Sequence, residues 1–301
     1  MPIKILVNGS NGQLGKELQD IQNQYPDLDI KFYAKNEWDI NSEIHSQRIL
    51  EIEKADYLIH TAAYTKVDLA EVNSEICFQL NAYAPQFIAG ICKKYKTRML
   101  YISSDYVFSN NEPALITEDT PKATKGVYAK SKSLGEDLIL DILPECLIIR
   151  TSWLYSSYGH NFVKTMLHLG QKSSKIKVVN DQTGSPTYAR HLAHALLKMI
   201  TQTAGKTLDL KNRVFHYSNQ GTCTWYEFAI EIFKYSQINV ELEKISTNDF
   251  GAAAPRPSYS GLDCSRIQQQ FEFNIPTWKV ALHECLDRIL PNNKDRAHEN
   301  V

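Results

Sequence analysis

Short apolar runs alternate with stretches of helical periodicity along the first half of the chain. Runs of strand length occupy residues 3–7, 30–34, 56–63, 99–103 and 147–150. Apolar side chains at helical spacing predict helices after residue 15, over about 71–95 and over about 128–142. Because strands that alternate with helices form parallel sheets covered on both faces, the pattern predicts an α/β fold with a Rossmann-type, doubly wound parallel sheet.

A glycine-rich turn joins the first strand to the first helix. Glycines at 9, 12 and 15 allow a tight turn, close approach of a pyrophosphate to backbone N–H groups, and close packing of the helix on the strand. We interpret this turn as a dinucleotide site, against the alternative of an ordinary strand–helix turn rich in glycine. The expected contacts come from Gly9, Asn11, Gly12, Gln13, Leu14 and Gly15.

The second strand ends in Ala34 and Lys35, without the carboxylate that would bind the adenosine 2′-hydroxyl of NAD. Lys35 can meet a 2′-phosphate, which favours NADPH and leaves NADH possible, or it is a solvated loop lysine. Asp39, followed by Ile40, presents a carboxylate either to the adenine amino group or to a helix N-terminus. Small residues after the third strand would let the cofactor lie against the backbone. The expected cofactor contacts there are Ala62, Ala63, Tyr64 and, in the following helix, Asn81.

Tyr128 and Lys132 are four residues apart, so a helix places them on one face, one turn from each other. A free tyrosine has a pKa of about 10, and a nearby ammonium group favours the phenolate. We therefore expect Lys132 to lower the pKa of Tyr128 toward neutrality and make the phenol a general acid. The alternative for such a pair is a half-buried ring beside a solvated amine. Ser104 leaves the fourth strand at its carboxyl end, where it either binds a ligand or caps a turn.

Composition narrows the classes of partner. With a formal net charge of −1 over 301 residues, the chain has no broad basic field, which argues against nucleic acid or an anionic membrane as the main partner. Six cysteines show no zinc-type spacing, so no metal site is expected from them. The first apolar run is too short for a signal peptide, and no run of about 20 apolar residues follows. We expect a cytoplasmic protein.

Several longer motifs are more specific than the glycine turn. They are Gly9-x-x-Gly12-Gln-Leu-Gly15, the run at 62–71, Ser103-Ser104-Asp105-Tyr106-Val107-Phe108, Tyr128-x-x-x-Lys132, the runs at 150–155, 161–166 and 179–187, and Arg256-Pro257. Together they resemble the extended short-chain dehydrogenase/reductases, and within them the dTDP-4-dehydrorhamnose reductases. The resemblance covers nearly the whole chain.

The resemblance implies reduction of the C4 ketone of dTDP-4-dehydro-L-rhamnose to dTDP-L-rhamnose, for use in a cell-surface polysaccharide such as the lipopolysaccharide O-antigen. It implies that Ser104 binds the ketone oxygen, Tyr128 protonates it, and Lys132 binds the nicotinamide ribose. Substrate contacts are implied as follows: Val67, Tyr106 and Trp153 as an apolar wall, Asp105 beside Ser104, Asp181 and Gln182 at the thymine edge, and Arg256 at the diphosphate.

It also implies a division of the chain. Residues 1–150 would form the NAD(P)-binding core, with segments at about 165–200 returning to it. Residues 151–301 would form mainly the nucleotide-sugar-binding region, including 214–218, 225–236 and 277–290, with a frayed end at 291–301. Some relatives bind Mg²⁺ between subunits through glutamates, of which one resembles Glu17; because the second falls at Arg190, Mg²⁺ is doubtful here. The protein would be a monomer or a homodimer.

Two rival functions remain open on the sequence. One is a reductase or epimerase of another nucleotide sugar, because these catalytic residue types are shared across the superfamily. The other is a non-catalytic, NADP-binding regulatory subunit. Ser104, Tyr128 and Lys132 are all present, which favours catalysis.

Overall fold

The computed structural model describes residues 2–109, 113–205 and 212–290. Among these residues, six parallel strands form the central sheet: β1 (Ile3–Asn8), β2 (Leu28–Tyr33), β3 (Tyr57–His60), β4 (Arg98–Ser104), β5 (Leu147–Thr151) and β10 (Val214–His216). The strand order is β10-β5-β4-β3-β1-β2. The chain therefore runs from β1 to one side for β2 and returns to the other side for β3, as the doubly wound pattern predicts.

Helices cover both faces of this sheet. They are α1 (Gln13–Ile21), α2 (Glu43–Glu53), α3 (Val67–Ala70), α4 (Ser74–Phe78), α5 (Ala84–Tyr95), α6 (Val127–Ile142) and α8 (Ala189–Thr203). In β1, Ile5 and Val7 pack in the cluster that contains α1 and α8, whereas Leu6 packs in the cluster that contains α2 and α5. Successive side chains of a strand point to opposite faces, so a strand buried on both sides reads as an uninterrupted apolar run.

The helix predicted over 71–95 is wrong in its start and its continuity. The helical segment begins at Ser74, and a π-helical turn at Gln79–Tyr83 lies between α4 and α5. Asn81, inside that turn, binds the backbone of Tyr64 through both side-chain atoms, at 2.8 and 3.0 Å. Its carbonyl accepts a hydrogen bond from the Tyr101 hydroxyl at 2.9 Å. These tertiary hydrogen bonds hold the widened turn in place of a regular helix.

The remaining elements form a second cluster beside the sheet. They are β6 (Leu154–Tyr155), α7 (Phe162–Gly170), β7 (Lys175–Val179), β8 (Thr183–Gly184), β9 (Thr187–Tyr188), β11 (Cys223–Thr224), α9 (Trp225–Ser236), β12 (Glu241–Ile245), α10 (Thr247–Phe250), β13 (Tyr259–Ser260), α11 (Ser265–Phe271) and α12 (Trp278–Ile289). Side chains of α7, β7, α9 and α12 share one apolar core, whereas α11 packs with α1 and α8.

Placing 214–218 in the substrate-binding region is wrong, because β10 pairs with β5 in parallel and forms an edge of the central sheet. The segment at about 165–200 divides: α8 packs on α1, and α7 packs in the second cluster. The boundary at residue 150 stays a prediction, and 291–301 lies outside the described residues. No helix of the described ranges is long and apolar enough to span a membrane.

Candidate active site

A cleft of about 1010 Å³ opens beyond the carboxyl ends of β1, β3 and β4. Its wall contains the following residues expected to bind cofactor or substrate: Gly9, Asn11, Gly12, Gln13, Leu14, Lys35, Asp39, Ile40, Ala62, Ala63, Tyr64, Val67, Ser104, Asp105, Tyr106, Tyr128, Lys132 and Trp153. The expected residues outside this lining are Gly15, Asn81, Asp181, Gln182 and Arg256. The cleft lies where the strand order reverses, which is the position where doubly wound sheets bind ligands.

At one end of the cleft, the glycine turn leaves no room for side chains. Gly9 has φ +70°, and a Cβ there would lie 2.7 Å from Thr61 Oγ1 and 2.8 Å from the amide nitrogen of Ala62. Asn8 fixes the same two segments, since its Oδ1 accepts hydrogen bonds from the amides of Thr61 and Ala62 at 3.1 and 3.2 Å. The ends of β1 and β3 are therefore held against each other at the cleft floor.

Helix α1 begins at this turn with its first amides unpaired by any side chain. Its N-cap residue is Gly12, which has no side-chain cap hydrogen bond. The first amides of a helix lack intrahelical partners and attract an anion. This arrangement fits the pyrophosphate of a dinucleotide, and the exposed Lys35 on the wall fits a further phosphate group.

Two expected cofactor contacts have other roles in the structure. Asn81 supports the backbone of Tyr64 from behind the wall. Asp39 lies on the wall, where its carboxylate accepts the amide of Asn41 at 3.1 Å. Helix α2 is capped by Ser42 instead, whose hydroxyl accepts the amide of His45 at 3.2 Å. Asp39 lies three residues before this N-cap, so both of its expected roles stay predictions.

The three proposed catalytic residues, Ser104, Tyr128 and Lys132, all contribute to the cleft wall. Ser104, at the end of β4, lies near the half-buried Tyr128 phenol. The Ser104 hydroxyl donates to Asp105 Oδ1 at 3.0 Å and accepts the Tyr106 amide at 3.2 Å. Ser104 thus caps a turn and also faces the phenol, so both of its expected roles occur together.

The pKa of Tyr128 departs from the prediction. Burial of the phenol raises its pKa above 10, the nearby Ser104 hydroxyl lowers it in part, and the Asp105 carboxylate raises it further. The expectation of a pKa lowered toward neutrality is wrong for this structure. Tyr128 therefore keeps its proton at neutral pH, which is the form that a proton donor requires.

Lys132 lies on the cleft wall and is almost fully buried. Its ammonium group donates to the Tyr101 hydroxyl at 2.7 Å and to the carbonyl of Ile102 at 2.8 Å. Burial lowers the pKa of Lys132 from 10.5 to about 7, against a raising contribution from the Glu136 carboxylate. Two groups of β4 therefore hold the lysine at the edge of the cleft. Because its pKa is close to neutral pH, a bound ligand can change its protonation.

Asp105 is a buried carboxyl group beside these residues. Burial raises the pKa of Asp105 from 3.8 to about 6, while nearby Ser260 and Ser104 lower it in part. Its Oδ2 has no hydrogen-bond partner among the described residues. An unpaired buried polar atom is costly, so this atom marks a position where a ligand group would be stabilising.

At the other end of the cleft, Trp153 forms part of the wall, half-buried and with φ +45°. Sequence reasoning missed its partner, Trp225, which stacks on it with 3.5 Å between ring centroids and 6° between ring planes. A tryptophan at the first turn of a helix carries no local signal for such a contact, because the two rings come from segments about 70 residues apart.

The structure places Asp181 and Gln182 against protein groups. Asp181 accepts hydrogen bonds from the amide of Thr247 at 2.9 Å and from its hydroxyl at 2.6 Å. Gln182 is buried, donates to Thr247 Oγ1 at 2.9 Å and accepts the Trp225 indole N–H at 3.1 Å. Hydrogen bonds to Thr247 orient both side chains, and Gln182 also binds Trp225. Contact of Asp181 or Gln182 with a thymine base stays a prediction.

Arg256 pairs with Asp68, a residue that sequence reasoning left without a role. The guanidinium Nη2 lies 2.6 Å from Asp68 Oδ2, and Nη1 donates to the Tyr106 hydroxyl at 3.2 Å. Asp68 also accepts the amide of Ala254 at 3.1 Å. The loop that carries Arg256 is thus attached to α3, beside the cleft-lining Val67.

Glu17 and Arg190 lie outside the cleft and pair with each other. Arg190 Nη1 lies 3.3 Å from Glu17 Oε2, and the Ser156 hydroxyl donates to Glu17 Oε1 at 2.5 Å. A cation thus already accompanies the buried Glu17 carboxylate. Within the described ranges, no group of three or more His, Cys, Asp or Glu residues is arranged to hold a metal ion.

Comparison with known proteins identifies the family of the chain. The model of the RmlD substrate binding domain family matches residues 3–290. The chain belongs to this family. Its fold is that of a dTDP-4-dehydrorhamnose reductase from Bacillus anthracis str. Ames solved in complex with NADP, with a TM-score of 0.90, 36% identity, and coverage of 96% of this chain and 100% of that one.

Curated relatives of the family match over nearly their whole length. The spore coat polysaccharide biosynthesis protein SpsK of Bacillus subtilis (strain 168) is 35% identical, covering 94% of this chain and 96% of its own. A dTDP-4-dehydrorhamnose reductase of Aggregatibacter actinomycetemcomitans is 34% identical, covering 93% and 97%. The family and fold expected from the motifs are confirmed.

Proposed function

We propose that the protein reduces the C4 ketone of dTDP-4-dehydro-L-rhamnose with NADPH and forms dTDP-L-rhamnose. The observation that carries the proposal is that Ser104, Tyr128 and Lys132 line the same cleft of about 1010 Å³ as the glycine turn. Relatives that bear the reductase name, with matching over nearly full length, support the choice of substrate. The SpsK relative's role in spore coat polysaccharide supports use of the product in a cell-surface polymer.

The residues of the chain account for the groups that a ketone reduction needs. The hydride itself comes from the reduced nicotinamide when the cofactor is bound. Amides of the glycine turn would hold the pyrophosphate, Lys35 the 2′-phosphate and Lys132 the ribose. Charge that develops on the ketone oxygen needs hydrogen-bond donors. The Tyr128 hydroxyl can donate to that oxygen, and the Ser104 hydroxyl can do so when it turns from Asp105 Oδ1.

Proton delivery is the role of Tyr128. Its raised pKa keeps the phenol protonated until the oxygen becomes strongly basic, and transfer then gives the alcohol. The phenolate left behind would be stabilised by the Lys132 ammonium group, since opposite charges favour one another in a partly dry site. A pKa of Lys132 near 7 means that binding of an anionic cofactor would favour the charged form of this lysine.

The test is an assay of NADPH oxidation with dTDP-4-dehydro-L-rhamnose generated in situ, followed by identification of the sugar product. We expect rapid oxidation, slower oxidation with NADH, and dTDP-L-rhamnose as product. The Tyr128→Phe variant should lose about 10²–10⁴-fold in kcat, the range of general acid catalysis, with NADPH affinity retained. Tyr83→Phe, at a half-exposed tyrosine, is the matched control.

Retention of NADPH binding without oxidation would reject the rhamnose assignment. Oxidation with other 4-keto nucleotide sugars would then identify a related reductase. Absence of turnover with all of them would favour the regulatory subunit.

A further inference from the structure

The indole rings of Trp153 and Trp225 are packed closely against each other and against neighbouring residues, which leaves the pair little freedom to move. A Cβ at Gly184 would lie 2.5 Å from Trp153 Cε2 and 2.7 Å from its Nε1, so the ring occupies the space above that glycine. Trp225 covers the ring at 3.5 Å, and Phe162 lies 4.6 Å from Trp225. The orientation of the wall residue Trp153 therefore depends on where Trp225 is held.

Strand pairing brings Gln182 opposite Trp225. Strands β8 and β11 are antiparallel, with Gly184 paired to Cys223 and Thr183 to Thr224. One further step in this register places Gln182 beside Trp225, where its Oε1 accepts the indole N–H at 3.1 Å. The same amide donates through Nε2 to Thr247 Oγ1 at 2.9 Å, which fixes its orientation.

The neighbouring carboxylate completes the support. Asp181 binds both the amide and the hydroxyl of Thr247, so the acceptor of Gln182 is itself held. Helix α9, which begins with Trp225, is fixed at its start by the Thr224–Glu227 capping box. The arrangement is a sequence of contacts from Asp181 through Thr247, Gln182 and Trp225 to Trp153.

We infer that Gln182 and Trp225 are positioning residues, which set the sugar-nucleotide end of the cleft by holding the Trp153 ring. Gln182 acts through the indole pair and leaves direct contact with the ligand to Trp153. This inference rests on the proposed function for its ligand, a sugar nucleotide. It replaces the expectation that Gln182 reads the thymine base.

The first test is spectroscopic and needs no substrate. Two indoles in face-to-face contact couple their electronic transitions, which gives a paired band in the far-ultraviolet circular dichroism spectrum. We expect Trp153→Phe and Trp225→Phe each to abolish this band. Trp278→Phe, at a buried tryptophan outside the cleft lining, should leave it in place. The Gln182→Leu variant should weaken the band because it removes the hydrogen bond to Trp225.

The second test separates positioning from contact by kinetics. Gln182→Leu should raise KM for the sugar nucleotide by about 5- to 50-fold, the range for a lost buried hydrogen bond. Its kcat and its KM for NADPH should change by less than about twofold, because the hydride and proton donors are untouched. Gln182→Glu keeps an acceptor for the indole N–H but loses the donor to Thr247 Oγ1, so we expect a stronger band and a lower KM than in Gln182→Leu, without full restoration of either.

Outcomes of the two tests are distinguishable. An unchanged band in Gln182→Leu, with a raised KM and lost preference for thymidine over uridine nucleotides, would overturn the inference and make Gln182 a base-reading residue. An unchanged band with unchanged KM would overturn it as well. If the wild-type protein reduces no sugar nucleotide, the proposed function fails, yet the band still decides whether Gln182 orders the indole pair. Loss of NADPH binding would show that Gln182→Leu does not fold. In that case Trp225→Phe replaces it in both tests.

Discussion

The two ends of the cleft are built in different ways. At the cofactor end, the glycine turn and the end of β3 contribute backbone to the wall: Gly9, Gly12 and Ala62 carry no side chain larger than a methyl group. At the sugar-nucleotide end, the wall is made of large side chains such as Trp153 and Tyr106, each held by another side chain. Close backbone approach shapes the first end, and tertiary contacts between distant segments shape the second.

This difference decides how each end responds to mutation. A site made of backbone fails when an atom is added, because the backbone segments around it cannot separate without moving strands. A site made of side chains fails when atoms are removed, because a wall side chain then loses the contact that orients it. The fold itself stays intact. Substitutions at the two ends should therefore separate into effects on NADPH affinity and effects on KM for the sugar nucleotide.

The largest effect is expected from Gly15→Ala at the cofactor end. A Cβ at Gly15 would lie 2.6 Å from Ser10 Cα and 2.7 Å from the Gly9 carbonyl oxygen, both backbone atoms. Overpacking of this kind costs about 1–3 kcal/mol of unfolding free energy. Displacement of the turn should weaken NADPH binding by about 100-fold or more, equivalent to about 2.7 kcal/mol. Fluorescence titration with NADPH measures the second effect, and thermal unfolding measures the first.

Gly90→Ala provides the matched control. Gly90 lies inside α5, and a Cβ there would meet only Ile142 Cγ2 at 3.9 Å, an ordinary contact. Alanine favours the helix by about 1 kcal/mol over glycine, so this variant should be stabilised with unchanged NADPH affinity. Equal behaviour of the two variants would contradict the difference between the ends.

A smaller effect is expected from Arg256→Met at the other end. We expect KM for the sugar nucleotide to rise by about 10- to 100-fold, the loss of charge-assisted hydrogen bonds to a diphosphate. NADPH affinity should stay within about twofold, since Arg256 pairs with Asp68 and Tyr106 outside the glycine turn. Steady-state kinetics with each substrate varied in turn checks both values.

Arg266→Met is the control for general loss of a cation. Arg266 pairs with Glu118 and Asp119, and it is not part of the cleft wall. Both KM values should remain unchanged in this variant. If Arg256→Met raised only the KM for NADPH, Arg256 would serve the cofactor end of the cleft and the prediction would be wrong.

The same contrast explains what could be predicted from sequence. The glycine turn and the pair Tyr128 and Lys132 depend on spacings of a few residues, and a strand–turn–helix or one helical turn fixes their geometry. The central sheet was equally predictable up to β5, since β1, β3, β4 and β5 are mainly apolar runs whose side chains are buried on both faces. Only β10, three residues long and far along the chain, escaped this reasoning.

Predictions failed where a side chain's role depends on tertiary partners. Asn81 interrupts a helix because Tyr64 and Tyr101 bind it, and neither is near it in sequence. The pKa of Tyr128 is raised because burial outweighs the lowering effect of the Ser104 hydroxyl, and spacing alone contains no measure of burial. The Trp225 contact depends on a strand register between residues about 40 apart. Pairing of this kind is set by packing of the whole domain.

The smallest effect is expected at Asp105, where the two ends of the cleft meet. Its pKa is raised from 3.8 to about 6, so between these pH values the native state keeps a proton that the unfolded chain has released. Stability from this group is therefore present below pH 3.8 and lost as the pH rises through about 6. Asp105→Asn removes the charge, and we expect a gain of about 1 kcal/mol in unfolding free energy at pH 8, below the limit of about 3 kcal/mol set by the shift. The gain should vanish at pH 4, because the aspartic acid is then neutral in the native state.

Denaturant unfolding at both pH values measures this gain in unfolding free energy. A variant less stable than the wild type at pH 8 would mean that the carboxylate is stabilised by its neighbours despite its burial. If Asp105→Asn gained stability and lost turnover, the Asp105 carboxylate would be shown to serve ligand binding or catalysis at the expense of stability.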